Sequence, residues 1–185
     1  MNIISKILKL HIMKTKVAVL LIFLSLLMTT GYAQEKSKRQ LREGRKIEKQ
    51  KQTAALVESK EFVFIGRTAL PQGFRTMDLT TNPNYVQFHP DKIKSEMPFF
   101  GRAFSGVGYG GDAGLHFEGT PQEFTVEKGK RAYKIKAVVR GDKDTYTLLL
   151  SVFFEGSATL SISSNNRSTI SYNGDIFKIE KKEVK

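Results

Sequence analysis

From Tyr133 onward the chain alternates with a period of two. Tyr133, Ile135, Ala137 and Val139 fall on one side of an extended segment, and Lys134, Lys136, Val138 and Arg140 on the other. Gly141-Asp142-Lys143-Asp144 has turn chemistry. The next strand sets Tyr146, Leu148, Leu150, Val152 and Phe154 against Thr145, Thr147, Leu149, Ser151 and Phe153. Glu155-Gly156 turns the chain again before Ala158, Leu160 and Ile162. Asn165-Asn166 turns it before Ile170 and Tyr172, and Asn173-Gly174, a strong hairpin dipeptide, is expected to lead into Ile176 to Ile179. Such a series predicts successive neighbours in an antiparallel meander.

Shorter alternations precede it. Phe62 and Phe64 interleave with Val63 and Ile65, and Leu70-Pro71-Gln72-Gly73 then predicts a turn. Val86 and Phe88 share a face in Tyr85 to His89, which Pro90 stops. Leu115 with Phe117, and Phe124 with Val126, predict two more strands around Gly119-Thr120-Pro121. A sheet with one such oily face must curl on itself or be covered, or it aggregates. The expected class is therefore mainly β (α+β): a curled antiparallel β-meander or half-barrel of about eight or nine strands with one N-terminal helix. The helix falls in Gln34 to Lys60, a Pro-free segment rich in Lys, Arg, Glu and Gln. Its apolar residues gather at Ala54, Ala55, Leu56 and Val57, so its C-terminal half can dock. The expected partner surface is a second patch on the back of the sheet, Val63, Ile65, Val138, Leu149 and Phe153.

The first 33 residues have a different layout. Lys14 and Lys16 precede a dominantly apolar run from Val17 to Met28, followed by Thr29, Thr30, Gly31, Tyr32, Ala33 and Gln34. A charged start, a short apolar stretch and small residues predict a secretory signal, cleaved after Ala33. The run is too short to span about 30 Å of hydrocarbon. The expected organisation is a signal peptide over 1–33, a basic helical segment over 34–60 and an antiparallel β domain over 61–185. Met13 is as good a start as Met1. With no Cys in the chain, a lipid anchor on cysteine, disulfides and thiolate metal sites are excluded. The expected location is the periplasm or the exterior, with no stable membrane insertion once the signal is removed.

Met97-Pro98-Phe99-Phe100-Gly101-Arg102-Ala103-Phe104 and Asn166-Arg167-Ser168-Thr169-Ile170-Ser171-Tyr172-Asn173-Gly174 resemble the signature stretches of the domain of unknown function 4251 family, secreted proteins common in Bacteroidetes. The resemblance covers roughly residues 40 to 180. It implies export in a Gram-negative bacterium. The family has no established activity, so no catalytic residue carries over. Met97 stands where the family often has Leu, a volume-conserving exchange.

Charge sharpens the picture of partners. The net +12 becomes +8 when the four lysines of residues 1–33 are removed. Residues 35–61 hold nine basic and five acidic residues, which concentrates positive charge in the helical segment. That arm either is solvated or touches an anionic surface. Gln34 to Lys60 contains no aromatic residue for base stacking, and secretion separates the chain from most nucleic acid, so no nucleic-acid partner is expected.

Candidate chemistry is sparse. Arg102 is either a structural arginine or an anion clamp at the mouth of the curled sheet. Arg167 caps the Asn165-Asn166 turn or joins that clamp, and Tyr109 sits at the tip of the Gly-rich loop Ser105 to Gly114. Arg102, Tyr109 and Arg167 are thus the candidate ligand-binding residues. Gly106, Gly108 and Gly111 have the G-x-G-x-x-G spacing, but no helix pattern follows them to seat a pyrophosphate, so no cofactor is expected. After processing only His89 and His116 remain, and both alternate away from the main core. With Asp91, Asp112 and Glu118 they offer ligands at no compact metal spacing, so no metal is expected. G-x-S-x-G is absent. Two functions follow: an exported non-enzymatic β domain that binds a small apolar ligand, an unidentified envelope component or a protein, and a cell-envelope hydrolase using His89, His116 and nearby carboxylates.

Overall fold

The computed structural model describes Lys14, Lys16 and residues 38–81, 84–104, 114–142 and 144–179. The expectations for the signal segment and for Tyr109 fall outside the described residues. The chain divides into two compact units, Met1–Ile47 and Glu48–Lys185. In the first, residues 38–47 are helical and exposed, and carry an Arg39–Glu43 ion pair of 3.1 Å one turn apart. Helical structure, here α1, runs over 38–59.

The second unit is built on ten strands: β1 (Phe62–Pro71), β2 (Met77–Asp78), β3 (Tyr85–Phe88), β4 (Ile93–Met97), β5 (Leu115–Gly119), β6 (Pro121–Lys128), β7 (Ala132–Arg140), β8 (Thr145–Phe153), β9 (Ser157–Ser164) and β10 (Ile170–Phe177). Nine form one antiparallel path, β5-β4-β3-β1-β10-β9-β8-β7-β6, and β2 pairs with β1 beside it. The two ends of that path, β5 and β6, are separated in the chain by Thr120 alone. They are one long strand bent at Gly119-Thr120-Pro121, pairing with β4 in its first half and β7 in its second. The sheet therefore has to curl until its ends meet, and it forms a nearly closed barrel.

Register shows the same closure. Ladder partners of Ile65 lead through Tyr85 and Glu96 to His116. Those of its neighbour Gly66 lead the other way, through Gly174, Ala158, Val152 and Tyr133, to Lys128. The trails reach the bent strand twelve residues apart (128 − 116), the stagger that tilts strands in a barrel. Across the remaining seam, Phe117 of β5 stacks on Tyr146 of β8 with ring centroids 4.0 Å apart.

Alternation fills the interior. The inward residues of β7 and β8 are those the period-two pattern marks, and they join Phe62, Phe64, Val86 and Phe88 in one core. These side chains are buried, most of them at 2% exposure or less, so the inward positions fill the barrel with packed side chains. Phe62 stacks on Phe88 at 4.8 Å, and Phe124 meets Phe88 edge-on at 6.3 Å.

Four expectations are corrected. Asn173-Gly174 makes no hairpin: both residues lie inside β10, and Gly174 faces Gly66 of β1. A Cβ at Gly174 would collide with the carbonyl oxygen of Ile65, so glycine serves close approach of two backbones. Leu70-Pro71 does not turn the chain but extends β1 as far as its pairing with Ile170; the turn follows at Gly73, with φ +80°. β4, absent from the sequence reading, alternates Ile93, Ser95 and Met97 inward, and its central serine hides the pattern. Finally, α1 leaves the outer patch uncovered. Val57 and Thr53 are buried, and Val57 belongs to the barrel core, while Ile65, Leu149 and Phe153 stay exposed. The spacing of Thr53, Leu56 and Val57 puts them on one helical face, and the chain from Ser59 to Phe62 is too short to carry that face round to the outside of the sheet.

Candidate functional site

Where α1 meets the last turn of β10, the surface opens into a groove of about 1370 Å³. Ala55 and Leu56 form one wall, Ile176, Phe177 and Ile179 the other, and Gln52, Ser59, Glu61, His89 and Lys178 stand at the polar positions. The groove exists because α1 must turn directly into β1: Ser59 Oγ bonds the Leu56 carbonyl at 2.8 Å and accepts from the Glu61 amide at 3.1 Å, and Lys60 adopts a left-handed φ of 56°. That sharp exit holds the helix beside the strand without closing over it. An apolar floor with a few polar groups is the usual composition of a ligand site.

The histidines stand apart. His89 lies by this groove, its Nδ1 3.8 Å from Glu61. His116 lies on the outer face of β5, with Nδ1 2.6 Å from Glu96. Phe88 and His116 flank β4 at positions three residues apart along it, Ile93 and Glu96, which sets about 10 Å lengthwise and about 10 Å across between them. The two histidines therefore cannot share a metal ion or a reacting atom. Around His116 the outer face is a charge ladder: Lys94 pairs with Glu96 at 3.5 Å and Lys92 with Glu118 at 3.0 Å. The Lys92 ammonium holds the Glu118 carboxyl below its ordinary range. Among the described residues no group of three or more His, Asp or Glu is arranged to hold a metal.

At the opposite end of the barrel the two signature stretches meet. Ala103 and Arg167 form an antiparallel bridge, the Phe104 amide donates to the Asn166 carbonyl and the Ser168 amide to the Arg102 carbonyl, both within 2.9 Å. Ser168 Oγ accepts from the Arg102 amide at 3.1 Å. A Cβ on Gly101 would lie 2.6 Å from Ser168 Oγ and 2.7 Å from the Phe99 ring, so a larger residue there would push both side chains aside. Arg167 donates to the Gly114 carbonyl at 2.6 Å and lies over the Phe99 ring at 5.2 Å. Tyr172, inside the barrel, donates its hydroxyl to the Pro98 carbonyl at 2.7 Å. Burial pushes the Tyr172 phenol far up and that of Tyr146 up as well, each opposed by the Arg167 charge.

Of the three candidate ligand residues, then, Arg102 is exposed at the barrel mouth and Arg167 is engaged with the strap of residues 98–104, while Tyr109 lies outside the described residues. The signature stretches build a cap held by backbone pairing. The groove at the other end was not found from sequence, because its walls come from residues 52–61 and 176–179, far apart in the chain and individually ordinary.

No curated protein matches this chain. A crystal structure of a DUF4251 family protein from Bacteroides eggerthii is similar, with 19% identity, a TM-score of 0.56, and coverage of 70% of this chain and 87% of that one. The family described as domain of unknown function (DUF4251) matches residues 44–176, which takes in most of α1, both signature stretches and nearly all of the barrel. The chain is a member of the DUF4251 family.

Proposed function

We propose that this chain is an exported, non-enzymatic binding protein whose groove between α1 and β10 takes an elongated apolar ligand with a polar head, such as an acyl chain ending in an acid. The observation that carries the reading is the open groove of about 1370 Å³ with Leu56, Ile176, Phe177 and Ile179 along it and Lys178 at its rim. A filled barrel interior supports it, since the apolar surface left for a ligand is outside the core. The charged, apolar, small-residue order of Lys14 to Gln34 supports export. A packed chain of methylenes gains from every wall of such a groove, while the head remains in water beside an ammonium.

The test is binding of a fluorescent fatty acid to the processed protein and to Ala55→Trp, which fills the groove from an exposed helix position. At least tenfold weaker binding by Ala55→Trp, with an unchanged melting midpoint, is expected. Equal binding by both proteins would place the ligand elsewhere and refute the proposal. N-terminal sequencing of the protein from its host tests export: the chain should begin at Gln34 in a soluble fraction outside the cytoplasm.

A further inference from the structure

We infer that the tip of the β6–β7 hairpin docks the protein on an anionic phospholipid surface. Between Lys128 and Arg140 there are six cations, Lys128, Lys130, Arg131, Lys134, Lys136 and Arg140, and no acid. Two of these are answered on the outer face of the hairpin. Lys136 binds Glu123 at 2.8 Å, and Lys134 stands across the ladder from Glu127. Lys128, Lys130 and Arg131 are left at the turn itself, all exposed, with no acidic partner among the described residues.

The tip is also unlike the rest of the sheet. The other long strands bury about every second residue, but Thr125 to Lys128 are exposed on both faces. β6 pairs with β7 alone, while β7 is held to β8 as far as Ala132, so the β6 edge of the hairpin end is left free. Apolar surface accompanies the charge. Phe153, 44% exposed, is the cross-strand neighbour of Ala132 beside the turn, and Val126 is 37% exposed on the opposite face. The Lys128 ammonium lies 5.8 Å from the Tyr133 ring centroid, so its stem follows apolar surface while its charge stays outermost.

Three cations within four residues, beside an exposed phenylalanine, form a compact amphipathic point. A single-stranded nucleic acid calls for cations spread along a groove, with aromatic platforms between them. A plane of phosphate headgroups over an acyl boundary fits a compact point: the cations meet the phosphates and Phe153 enters the boundary. Each cation near an anionic leaflet strengthens association about fivefold, so removal of three weakens it about a hundredfold. This surface is separate from the groove at α1 and does not depend on what the groove binds.

The experiment is co-sedimentation of the processed protein with phosphatidylcholine vesicles, with or without roughly one-third phosphatidylglycerol. Binding is expected only with the anionic lipid and should fall steeply as salt rises to about 0.15 M, where the screening length is about 8 Å. Lys128→Gln/Lys130→Gln/Arg131→Gln should bind about a hundredfold more weakly. Arg45→Gln/Lys49→Gln/Lys51→Gln, which removes three cations of α1, should bind as the parent does, and so should Ala55→Trp. Circular dichroism melting checks that each variant is folded, and Lys130→Glu/Arg131→Glu, confined to the turn, gives a second reading of the tip. Undiminished binding by both tip variants overturns the inference. So does loss confined to the α1 variant, equal binding to pure phosphatidylcholine, or binding to an acidic protein or polyanion with none to vesicles.

Discussion

Leu149 and Leu150 are adjacent on β8 and provide a test of the whole register. Leu150 is 1% exposed and Leu149 52%. Leu→Ala removes the same atoms at each position, so the difference measures only which face of the sheet is inside. At Leu150 three carbons leave a closed core at about 0.8 kcal/mol each, about 2.4 kcal/mol, and the unrelaxed cavity raises the loss to about 3–4 kcal/mol. At Leu149 half of that surface is already wet, no cavity forms, and the loss is about 1 kcal/mol. Urea unfolding of the two variants and the parent, followed by far-UV circular dichroism, reads both values. With a slope of about 2 kcal/mol per molar, Leu150→Ala should lower the midpoint by about 1.5–2 M and Leu149→Ala by about 0.5 M. Equal shifts at constant slope, or a larger shift for Leu149→Ala, would refute a barrel with this face inward.

Gly174→Ala should lose about 2–3 kcal/mol in the same assay, because its Cβ meets the Ile65 backbone, while Gly44→Ala, with nothing within 4 Å and a helical backbone, should leave the barrel unchanged and raise helicity. Tyr172→Phe should cost about 1–2 kcal/mol by stranding the Pro98 carbonyl. The same variant has a pH signature: burial raises the folded phenol's affinity for its proton, the unfolded phenol releases it near pH 10, and stability therefore falls as pH rises past about 10. Tyr172→Phe should lessen that alkaline loss, and an identical pH profile for parent and variant would count against a buried phenol. Removal of residues 34–52 should leave the melting midpoint of the barrel within about 3 °C, since the first buried helix residue is Thr53; a collapse of the midpoint would show earlier docking of the arm.

What sequence made legible was the part governed by alternation. Tyr133 to Val139 and Tyr146 to Val152 keep a strict period of two, because each inward position fills the same packed interior, and their strands follow from pattern alone. β4 did not, since Ser95 occupies an inward position without an apolar side chain. Asn173-Gly174 misled because a glycine needed for close passage of β1 is indistinguishable in sequence from one needed for a turn. The bend at Thr120 resisted too: two short strands around Gly-Thr-Pro look like a hairpin until their partners, β4 and β7, are known. At the candidate sites, sequence offered Arg102 and Arg167, one within each signature stretch, as ligand-binding residues, and the structure brings the two stretches together through the Ala103–Arg167 bridge. Their contacts, however, are set by Ser168, Gly114 and Phe99 brought in from elsewhere in the chain. The groove at α1 depends on an angle of exit from a helix, which no pattern of residue types encodes.

The single bent strand across Thr120 also shapes the order in which the chain can fold. With β5 and β6 continuous, the ladders between consecutive strands join residues nearby in sequence, from β3–β4 at Phe88 and Ile93 to β1–β3 at Phe62 and Phe88. The exception is β1–β10, where Val63 meets Phe177 across 114 residues (177 − 63). Two local meanders, hinged at Thr120, can thus assemble without bringing the ends together, and one seam remains to be closed. Loop-closure entropy grows only with the logarithm of length, so the preformed meanders convert a distant encounter into the docking of two edges. Glycines at Gly66 and Gly174 sit face to face on that seam. Contacts within the meanders are made before that step, so truncations there should chiefly slow folding, whereas bulk added at the seam, whose contacts form last, should chiefly hasten unfolding.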